Sequence, residues 1–433
     1  MNISVTHVWW KHLEQLRYFL YGCFLFFMPF TQALTFNIGF PLKFSELALL
    51  LLSALYLVFN RQVQLPRPIV FLIAAFFFVV TLSLIVNLFW SYPYSLRTYE
   101  SRFGYTGDSI SRYIYFILAL LAFVISIDIY LTDTSKFIRI WIYGAMAAAA
   151  YAWYLAIFSF LKLPVFFLPG MKEVPQTIFG GVIRSGTFAE GNFMGLFLFL
   201  SGVMSFYVKK FKTGVFLFAS VFTTFATLSI ISIFLFLVLY LRHYIFRKRY
   251  IPYFIIGLLL SIPALYLFSQ TKMYNNYIHE KIFGRSDQIT SEATYSKVDR
   301  LNSIKVAFRT AVNNPVLGVG PSNFGRHYDQ YYIKGNLTDA DYQSLLRKNE
   351  KVIPNNVYLE VWAEYGSIGF FILILFLLHL LHYAHYSKEL FPGMLCMLIC
   401  YIAYPSFIMI YLWAFMALPV ANYIKVKRGV SFS

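Results

Sequence analysis

The sequence predicts an all-α protein that crosses a membrane many times. Of its 433 residues, 59% are hydrophobic and only 13% are charged, which is more apolar sequence than a soluble core needs. The apolar residues form long segments between short basic loops, and a helix needs about 20 of them to cross the hydrocarbon layer. We therefore predict a polytopic membrane protein with about twelve transmembrane helices, two of them short or re-entrant, and one long, partly helical outer loop.

The apolar segments divide the chain into three regions of a single integral-membrane domain. An N-terminal transmembrane bundle covers residues 1–268, a loop region covers 269–365, and C-terminal transmembrane helices cover 366–433. Basic residues precede the first segment but no small-residue cleavage site follows it, so we interpret it as a retained helix. The segments lie at about 18–36, 44–59, 69–89, 113–130, 137–161, 193–208, 215–241, 251–268, 366–384, 391–404 and 407–424.

Segment 215–241 has basic clusters on both sides. A single crossing would place these clusters on opposite faces of the membrane, which the positive-inside rule disfavours. We therefore predict that the segment enters the membrane, bends and returns as two short helices. Polar backbone at such a bend is tolerated only where it lines a cavity. The polar residues at the predicted bend are Thr223, Thr224, Thr227 and Ser229.

The predicted hairpin places both termini on the cytoplasmic side. The basic loops at 61–67 and 136–139 and the tail from Lys425 to Arg428 lie there as well. The longest outward loop is too long for an idle connection, so we expect it to be functional. Within it, Val298–Val312 has the pattern of an amphipathic helix. The outward loops are 90–112, 162–192 and 269–365.

Composition excludes several other classes of protein. The formal net charge of +17 does not indicate nucleic-acid binding, because the basic residues lie mainly in loops that set membrane orientation. The three cysteines lie in apolar segments and are most simply packing residues. Three histidines in HLLHYAHY point to different sides of their helix, so we predict that they bind no metal; they are His379, His382 and His385. We also predict no cofactor.

The first candidate site is VIRSGTFAEGN, residues 182–192, ahead of an apolar segment. It is either a capped helix start, with Glu190 complementing the helix dipole, or a phosphate site. In the second reading Arg184 and the glycine turn behind it present a guanidinium and backbone donors, because arginine matches phosphate geometry bidentately.

The second candidate runs from Asp299 to Gly325 and contains GVGPSNFG. The glycine spacing resembles a nucleotide loop, but no Lys-Ser/Thr follows and no strand precedes it. The surplus of arginine on the outer face, Arg300 included, is more informative. A lipid-linked phosphate is the plausible partner for such a cluster outside the cytoplasm.

The third candidate is IPNNVYLEVWAEYGSIGF, residues 353–370. Glu360 and Glu364 are four apart, so they share a helix face, and they raise each other's pKa if they are unpaired. One of them could act as a general base or orient one. Pairing with the helix N-terminus is the alternative reason for glutamates at this position.

These three pieces stand in a fixed order: Arg184 to Asn192, then Arg300 with Asn314–Pro315 and GVGPSNF, then Asn356 to Gly369 before a helix. Taken together they resemble the superfamily of bacterial O-antigen ligases and O-antigen polymerases. The resemblance covers roughly residues 180–385. The twelve-helix layout with a long outer loop also agrees with it.

The resemblance implies a metal-independent, inverting glycosyltransferase of the bacterial inner membrane that takes glycan from undecaprenyl diphosphate at the periplasmic face. It implies that Arg184 and Arg300 bind the diphosphate and stabilise the charge that develops as it leaves. Fixed guanidinium groups would then do what Mg²⁺ does in soluble transferases. We further expect the substrate cavity to include Glu190, Asn192, Gly318, Gly320 and Arg326.

Two positions depart from the family pattern. Many members have His-Asn where this chain has Asn355–Asn356. In those members the histidine is assigned the role of activating the acceptor hydroxyl. Asparagine cannot take a proton at neutral pH. A frequent Ser-Arg is here Ser229–Ile230. Either another group is the base or the enzyme relies on positioning and leaving-group stabilisation, so the candidate catalytic residues are Asn355, Asn356, Glu360, Glu364 and His327.

We therefore predict a polymerase of undecaprenyl-diphosphate-linked repeat units of O-antigen, capsule or exopolysaccharide, with lipid-linked glycans as donor and acceptor. The alternative is a ligase that transfers the glycan to lipid A core, against which the absent histidine weighs only modestly. A transporter or flippase without covalent chemistry is the rival from another class, but the sequence has no internal repeat of the kind such proteins carry. Chain-length regulators or flippases of the same pathway are the expected protein partners.

Overall fold

The structure is a computed structural model. It describes residues 3–37, 41–59, 63–89, 104–171, 176–178, 181–245, 292–332 and 352–429, together with isolated positions between 252 and 279. The predicted apolar segment 251–268, most of the loop 90–112 and much of 269–365 lie outside these ranges.

The described residues are mainly α-helical, with two small β-hairpins. The strands are β1 (Thr35–Asn37), β2 (Pro41–Lys43), β3 (Thr177–Ile178) and β4 (Val182–Ile183), paired antiparallel as β1–β2 and β3–β4. The helices are α1 (Ile3–Phe27), α2 (Phe44–Val58), α3 (Arg67–Phe89), α4 (Gly104–Phe160), α5 (Gly191–Tyr207), α6 (Phe211–Val221), α7 (Thr227–Ile245), α8 (Glu292–Asn313), α9 (Phe324–Tyr331), α10 (Val357–Ala384), α11 (Leu390–Cys400) and α12 (Ile410–Lys427).

Within the described ranges, three helices are long and apolar enough to cross a membrane: Arg67–Phe89, Thr106–Phe160 and Val357–Ala384. Shorter apolar helices accompany them, α2, α5, α6, α7 and α11 among them. The prediction of a helical membrane protein agrees with this composition. The count of twelve crossings and the outer loop stay predictions.

Helix α4 consists of two helical segments that meet at Asp133, whose backbone leaves the helical region (φ −145°, ψ 84°). The Asp133 carboxylate accepts the backbone N–H of Lys136 at 2.9 Å, which caps the second segment. Near the break, Asp128 pairs with Arg17 of α1, and further along Gly144 packs on the backbone of Phe26. The second segment therefore runs beside α1, and the break falls between the predicted segments 113–130 and 137–161.

Helices α6 and α7 form the hairpin that the charge pattern predicts. A 3₁₀ turn at Phe222–Thr224 and a left-handed Phe225 (φ 49°) separate them. Phe206, near the end of α5, contacts both Phe211 at the start of α6 and Tyr240 late in α7. Helix α7 therefore returns to the level at which α6 begins. The length of α6 agrees with this, because α6 alone is too short to cross a bilayer of about 30 Å.

Helix α10 is interrupted at Gly366, which adopts φ 69° and ψ −175°. The GVG loop, Gly318–Gly320, fills this interruption: Val319 N–H donates to Ala363 O and Gly320 N–H donates to Glu364 O, each at 2.9 Å. A Cβ on Gly318 would lie 2.4 Å from the carbonyl carbon of Glu364, so no larger residue fits there. The loop satisfies carbonyl groups that the break in the helix exposes.

Three of the basic segments predicted to share one face of the membrane have contacts with one another. Lys425 Nζ donates to Thr134 Oγ1 at 2.8 Å, and Arg428 contacts Gln64. These contacts bring the tail, the α4 break and the loop before α3 to one end of the bundle. The start of α5 and the bend of the α6–α7 hairpin lie together elsewhere in the bundle, where a Cβ on Gly195 would touch Ala226 and Thr224.

Candidate active site

Arg184 is held by the β3–β4 hairpin. Its backbone N–H donates to Gln176 O at 3.0 Å, and its side-chain Nε donates to Gln176 Oε1 at 2.9 Å. The same Gln176 oxygen accepts the N–H of Gly191, the first residue of α5, at 3.1 Å. A Cβ on Gly191 would lie 2.6 Å from Thr224 O and 2.9 Å from Arg184 Nε. Arg184 is therefore fixed where the start of α5 meets the hairpin bend.

Arg300, on helix α8, reaches the same place from a distant part of the chain. Burial and the neighbouring Arg300 guanidinium lower the pKa of Arg184 to about 10, while Glu190 opposes that shift. Burial also lowers the pKa of Arg300, and Glu190 and Asp299 oppose it. Both guanidinium groups stay protonated at neutral pH, so the arginine pair, Arg184 and Arg300, holds two positive charges close together in a partly desolvated position.

A cavity of about 140 Å³, the first cavity, opens beside the arginine pair. Arg300 and Asn192 line it, and the hairpin bend contributes hydroxyl groups to its wall. Thr224, at the bend, packs where a Cβ on Gly195 would be. The predicted polar bend therefore lines a cavity, as the cost of unsatisfied backbone requires. The remaining lining residues are Leu196, Ala226, Thr227, Leu228, Ser229, Cys400, Ala403 and Tyr404.

Glu190 is the acidic member of this region. Its backbone is the N-cap of α5, but its side chain makes no cap hydrogen bond. The carboxylate acts electrostatically on Arg184, Arg300 and Tyr404. At Arg184 the repulsion from Arg300 outweighs the attraction of Glu190, and an anionic ligand would relieve that repulsion.

The glutamates of helix α10 lie in a different cluster. Glu360 and Glu364 are buried, and Arg112 of α4 lies between them, in close contact with Glu360 and with its Nε 3.9 Å from Glu364 Oε2. Glu360 Oε2 also accepts the N–H of Phe407 at 3.1 Å. The sequence predicts that these carboxylates raise each other's pKa only if they are unpaired. In the structure they are ion-paired with Arg112, and the three residues Arg112, Glu360 and Glu364 form the Arg112 cluster.

Asn355 and Asn356 shape the start of α10. Asn356 is the N-cap, and its side-chain oxygen accepts the N–H of Leu359 at 3.0 Å. Asn355 takes a left-handed conformation (φ 53°), which asparagine tolerates better than most residues. The two asparagines therefore start the helix that carries the Arg112 cluster, and a catalytic role for either stays a prediction.

The other predicted residues lie around helix α9 and the GVG loop. Arg326 Nη2 is 3.6 Å from Asp108 Oδ2, and His327 Nδ1 is 3.2 Å from Gln330 Oε1 on the same helix. Burial, with the charge of Arg326, lowers the pKa of His327. Gly318 packs on the α10 backbone and Gly320 lies against Asn87, so these glycines serve close approach of protein to protein. Their predicted place in the substrate cavity stays untested.

Sequence reasoning missed several residues of this region. Arg112 is one of many basic residues and carries no local motif. The sequence did indicate that a cation must lie nearby, because two carboxylates on one helix face next to apolar sequence require one. Gln176 and Tyr404 gave no comparable signal. Among the described residues, no group of three His, Cys, Asp or Glu side chains is arranged to hold a metal ion.

The comparisons with known proteins bear on this site. Residues 213–374 match the family model described as O-antigen ligase, a stretch that includes the α6–α7 hairpin, Arg300, the GVG loop and most of α10. Members of this family are glycosyltransferase-like enzymes that act on lipid-linked glycans. No curated protein matches the chain. Residues 213–374 are therefore similar to the O-antigen ligase family, in agreement with the resemblance of the sequence to the O-antigen ligase and polymerase superfamily.

Proposed function

We propose that the protein is an inner-membrane glycosyltransferase that polymerises undecaprenyl-diphosphate-linked oligosaccharide repeat units at the periplasmic face. The observation that carries this proposal is the arginine pair. Arg184 from the β3–β4 hairpin and Arg300 from α8 lie within electrostatic reach of each other beside a cavity, and at Arg184 the repulsion from Arg300 outweighs the attraction of Glu190. Like charges are brought together in this way at a cost, which a bound diphosphate offsets.

The arginine pair supplies the chemistry that the departure of a lipid diphosphate needs. As the glycosidic C–O bond breaks, negative charge grows on the leaving phosphate oxygen, and two fixed guanidinium groups stabilise it without reorganising. Gln176 holds Arg184 in place before the substrate arrives. Such preorganised donors contribute about 10²–10³ in rate each in other enzymes.

The acceptor hydroxyl must lose a proton during transfer, and the predicted base candidates differ in their surroundings. Glu360 is buried in its contact with Arg112 and its bond to Phe407 N–H, which favours a role in holding α10 to α4. A carboxylate that is stabilised as an anion is a weak base. We propose that transfer relies chiefly on positioning and on leaving-group stabilisation, with base catalysis contributing less than the 10²–10⁴-fold that is typical.

Ligase activity is the second candidate, because the matched family model is described as O-antigen ligase. In a ligase the acceptor is lipid A core instead of a second lipid-linked repeat unit. Asn355, where many members have histidine, weighs modestly towards the polymerase. The arginine pair serves both reactions equally well, since the donor is the same.

Deletion of the gene separates the two candidates. A strain whose lipid A core carries single repeat units, without longer chains, supports a polymerase. Full-length lipid-linked polymer together with bare core refutes the polymerase in favour of the ligase. Purified protein that lengthens a lipid-linked oligosaccharide without added nucleotide excludes a transporter, whereas lipid translocation in vesicles without lengthening refutes the polymerase.

A further inference from the structure

A second cavity, of about 270 Å³, lies against the same turn of α5 as the first cavity. Phe193 lines it, whereas the preceding residue, Asn192, lines the first cavity. The remaining wall comes from the end of α1, the start of α2, the start of α4, Ile353 and the segment before α12. At this size it is near the lower end of ligand pockets, which hold about 300–1,000 Å³.

A hydrogen-bonded wall separates the two cavities. Tyr404 lines the first cavity and Tyr411 lines the second, and their hydroxyl groups are in close contact. The Tyr411 hydroxyl also donates to Phe193 O at 3.1 Å, and the ring of Phe193 packs edge-on against Tyr404 at 5.3 Å. These side chains form the wall, so ligands in the two cavities would be neighbours.

The charges that line the second cavity are already paired. Lys43 Nζ is 2.6 Å from Glu46 Oε1, and Arg112 is in close contact with Glu360. This differs from the first cavity, where Arg300 lines the wall and repels the neighbouring Arg184. A cavity whose charges are internally neutralised gains little by binding a diphosphate, because the ligand would have to displace existing partners.

The polar groups of the second cavity suit a sugar instead. Glu46 accepts from Lys43 Nζ and from Lys43 N–H, and it hydrogen-bonds the Tyr115 hydroxyl. A carboxylate has about four acceptor positions, so one remains for a sugar hydroxyl. Ser406 accepts the N–H of Ile408 at 3.4 Å, which leaves its O–H to donate. The aromatic faces of Tyr115, Phe193 and Tyr411 add apolar surface for the C–H face of a ring.

We propose that the second cavity is the acceptor-sugar site, which binds the end sugar of the glycan that receives the transferred chain. The inference rests on the proposed function, in which the first cavity holds the donor's diphosphate. Glu46 and Ser406 hydrogen-bond the sugar, and the Lys43–Glu46 pair fixes the carboxylate. The wall of Tyr404, Tyr411 and Phe193 lies between the acceptor sugar and the diphosphate, and the donor sugar extends from the diphosphate past this wall to the acceptor hydroxyl.

The test measures binding of two probes to the purified full-length protein in detergent. One probe is undecaprenyl diphosphate, and the other is the repeat-unit oligosaccharide freed of lipid and phosphate by mild acid. The variants are Glu46→Gln, which keeps the shape of the side chain, and Ser406→Ala, which guards against a folding defect in the first. Arg300→Ala is the matched variant of the first cavity.

We expect Glu46→Gln and Ser406→Ala to weaken oligosaccharide binding about 10-fold, the size of one lost hydrogen bond, while undecaprenyl diphosphate binds as in wild type. Arg300→Ala should give the reverse pattern. Wild-type oligosaccharide affinity in both cavity variants, or no oligosaccharide binding by wild type that still lengthens lipid-linked glycan, overturns the acceptor site alone. A wild-type protein that does not lengthen lipid-linked glycan would instead refute the proposed function. The oligosaccharide measurement would still decide whether the second cavity binds a sugar.

Discussion

The protein contains two clusters of arginine and glutamate that differ in charge balance. In the Arg112 cluster one arginine meets two carboxylates, and all three side chains are largely buried. In the arginine pair two guanidinium groups share Glu190 beside a cavity. The arginine of the first cluster is surrounded by carboxylates of the chain, whereas in the second the two arginines repel each other and an anion would relieve that repulsion. The same residue types therefore hold helices together in one place and form a candidate diphosphate site in the other.

Removing an arginine of the pair should produce the largest effect on activity. We expect Arg300→Ala and Arg184→Ala each to lower transfer at least about 100- to 1,000-fold, because charge on the leaving diphosphate would lose a fixed donor. Polymer length and yield in cells, at matched protein level, provide the measurement. Lys305→Ala, an exposed charge on the same helix α8, is the control and should leave polymer unchanged. Near-normal polymer from either arginine variant would contradict the assignment.

Breaking the Arg112 cluster should affect folding more than chemistry. Glu360→Ala leaves Arg112 buried with only the more distant Glu364, so we expect the free energy of unfolding to fall by about 3–5 kcal/mol. Thermal unfolding of the detergent-solubilised protein measures this. Glu14→Ala, which removes an exposed partner of Arg17, is the control and should cost less than about 1 kcal/mol. A Glu360→Ala protein of wild-type stability without activity would instead make Glu360 a catalytic residue.

Arg184→Lys should be partly active, and its activity should depend on pH. Lysine keeps the charge but loses the bidentate fork. Burial and Arg300 lower the pKa of the group at this position, so a lysine there would lose its charge as pH rises, while Arg184 with its pKa of about 10 would not. We expect the ratio of variant to wild-type rate to fall between about pH 7 and about pH 9. A constant ratio would mean that the site does not perturb the group.

Asn355 should give the smallest effect. Because its backbone is left-handed (φ 53°), Asn355→Gly removes the side chain without straining the turn, whereas Asn355→Ala adds strain. We expect Asn355→Gly to transfer glycan within about 10-fold of wild type, less than the loss of a general base would cause. A loss from Asn355→Gly as large as that from Arg300→Ala would mean that this side chain orients a reactant.

The sequence predicted those features that depend on local pattern or on gross charge. The α6–α7 hairpin followed from basic clusters on both sides of one apolar segment, and the structure breaks that segment at Phe222–Thr224. The proximity of Arg184 and Arg300 followed from the family resemblance. The pairing of Arg112 with α10, and of Lys43 with Glu46 beside a cavity, could not be predicted, because helix packing decides which distant side chains meet.

The glycines show why a motif alone is ambiguous. Gly318 and Gly320 adopt φ values of 66° and 88° and allow close approach, which a ligand loop and a loop packed on a helix require equally. The structure uses the approach to cap the interruption of α10 at Gly366. Sequence spacing records the need for glycine but not the group that comes close to it.

Binding of undecaprenyl diphosphate to the purified protein tests the central claim most directly. Wild type, Arg184→Ala/Arg300→Ala and Lys305→Ala are compared, with undecaprenol as the lipid that lacks the diphosphate. The account predicts that wild type and Lys305→Ala bind the diphosphate lipid at least about 100-fold more tightly than undecaprenol, and that the double variant loses this preference. A double variant that still prefers the diphosphate lipid as strongly as wild type would contradict it.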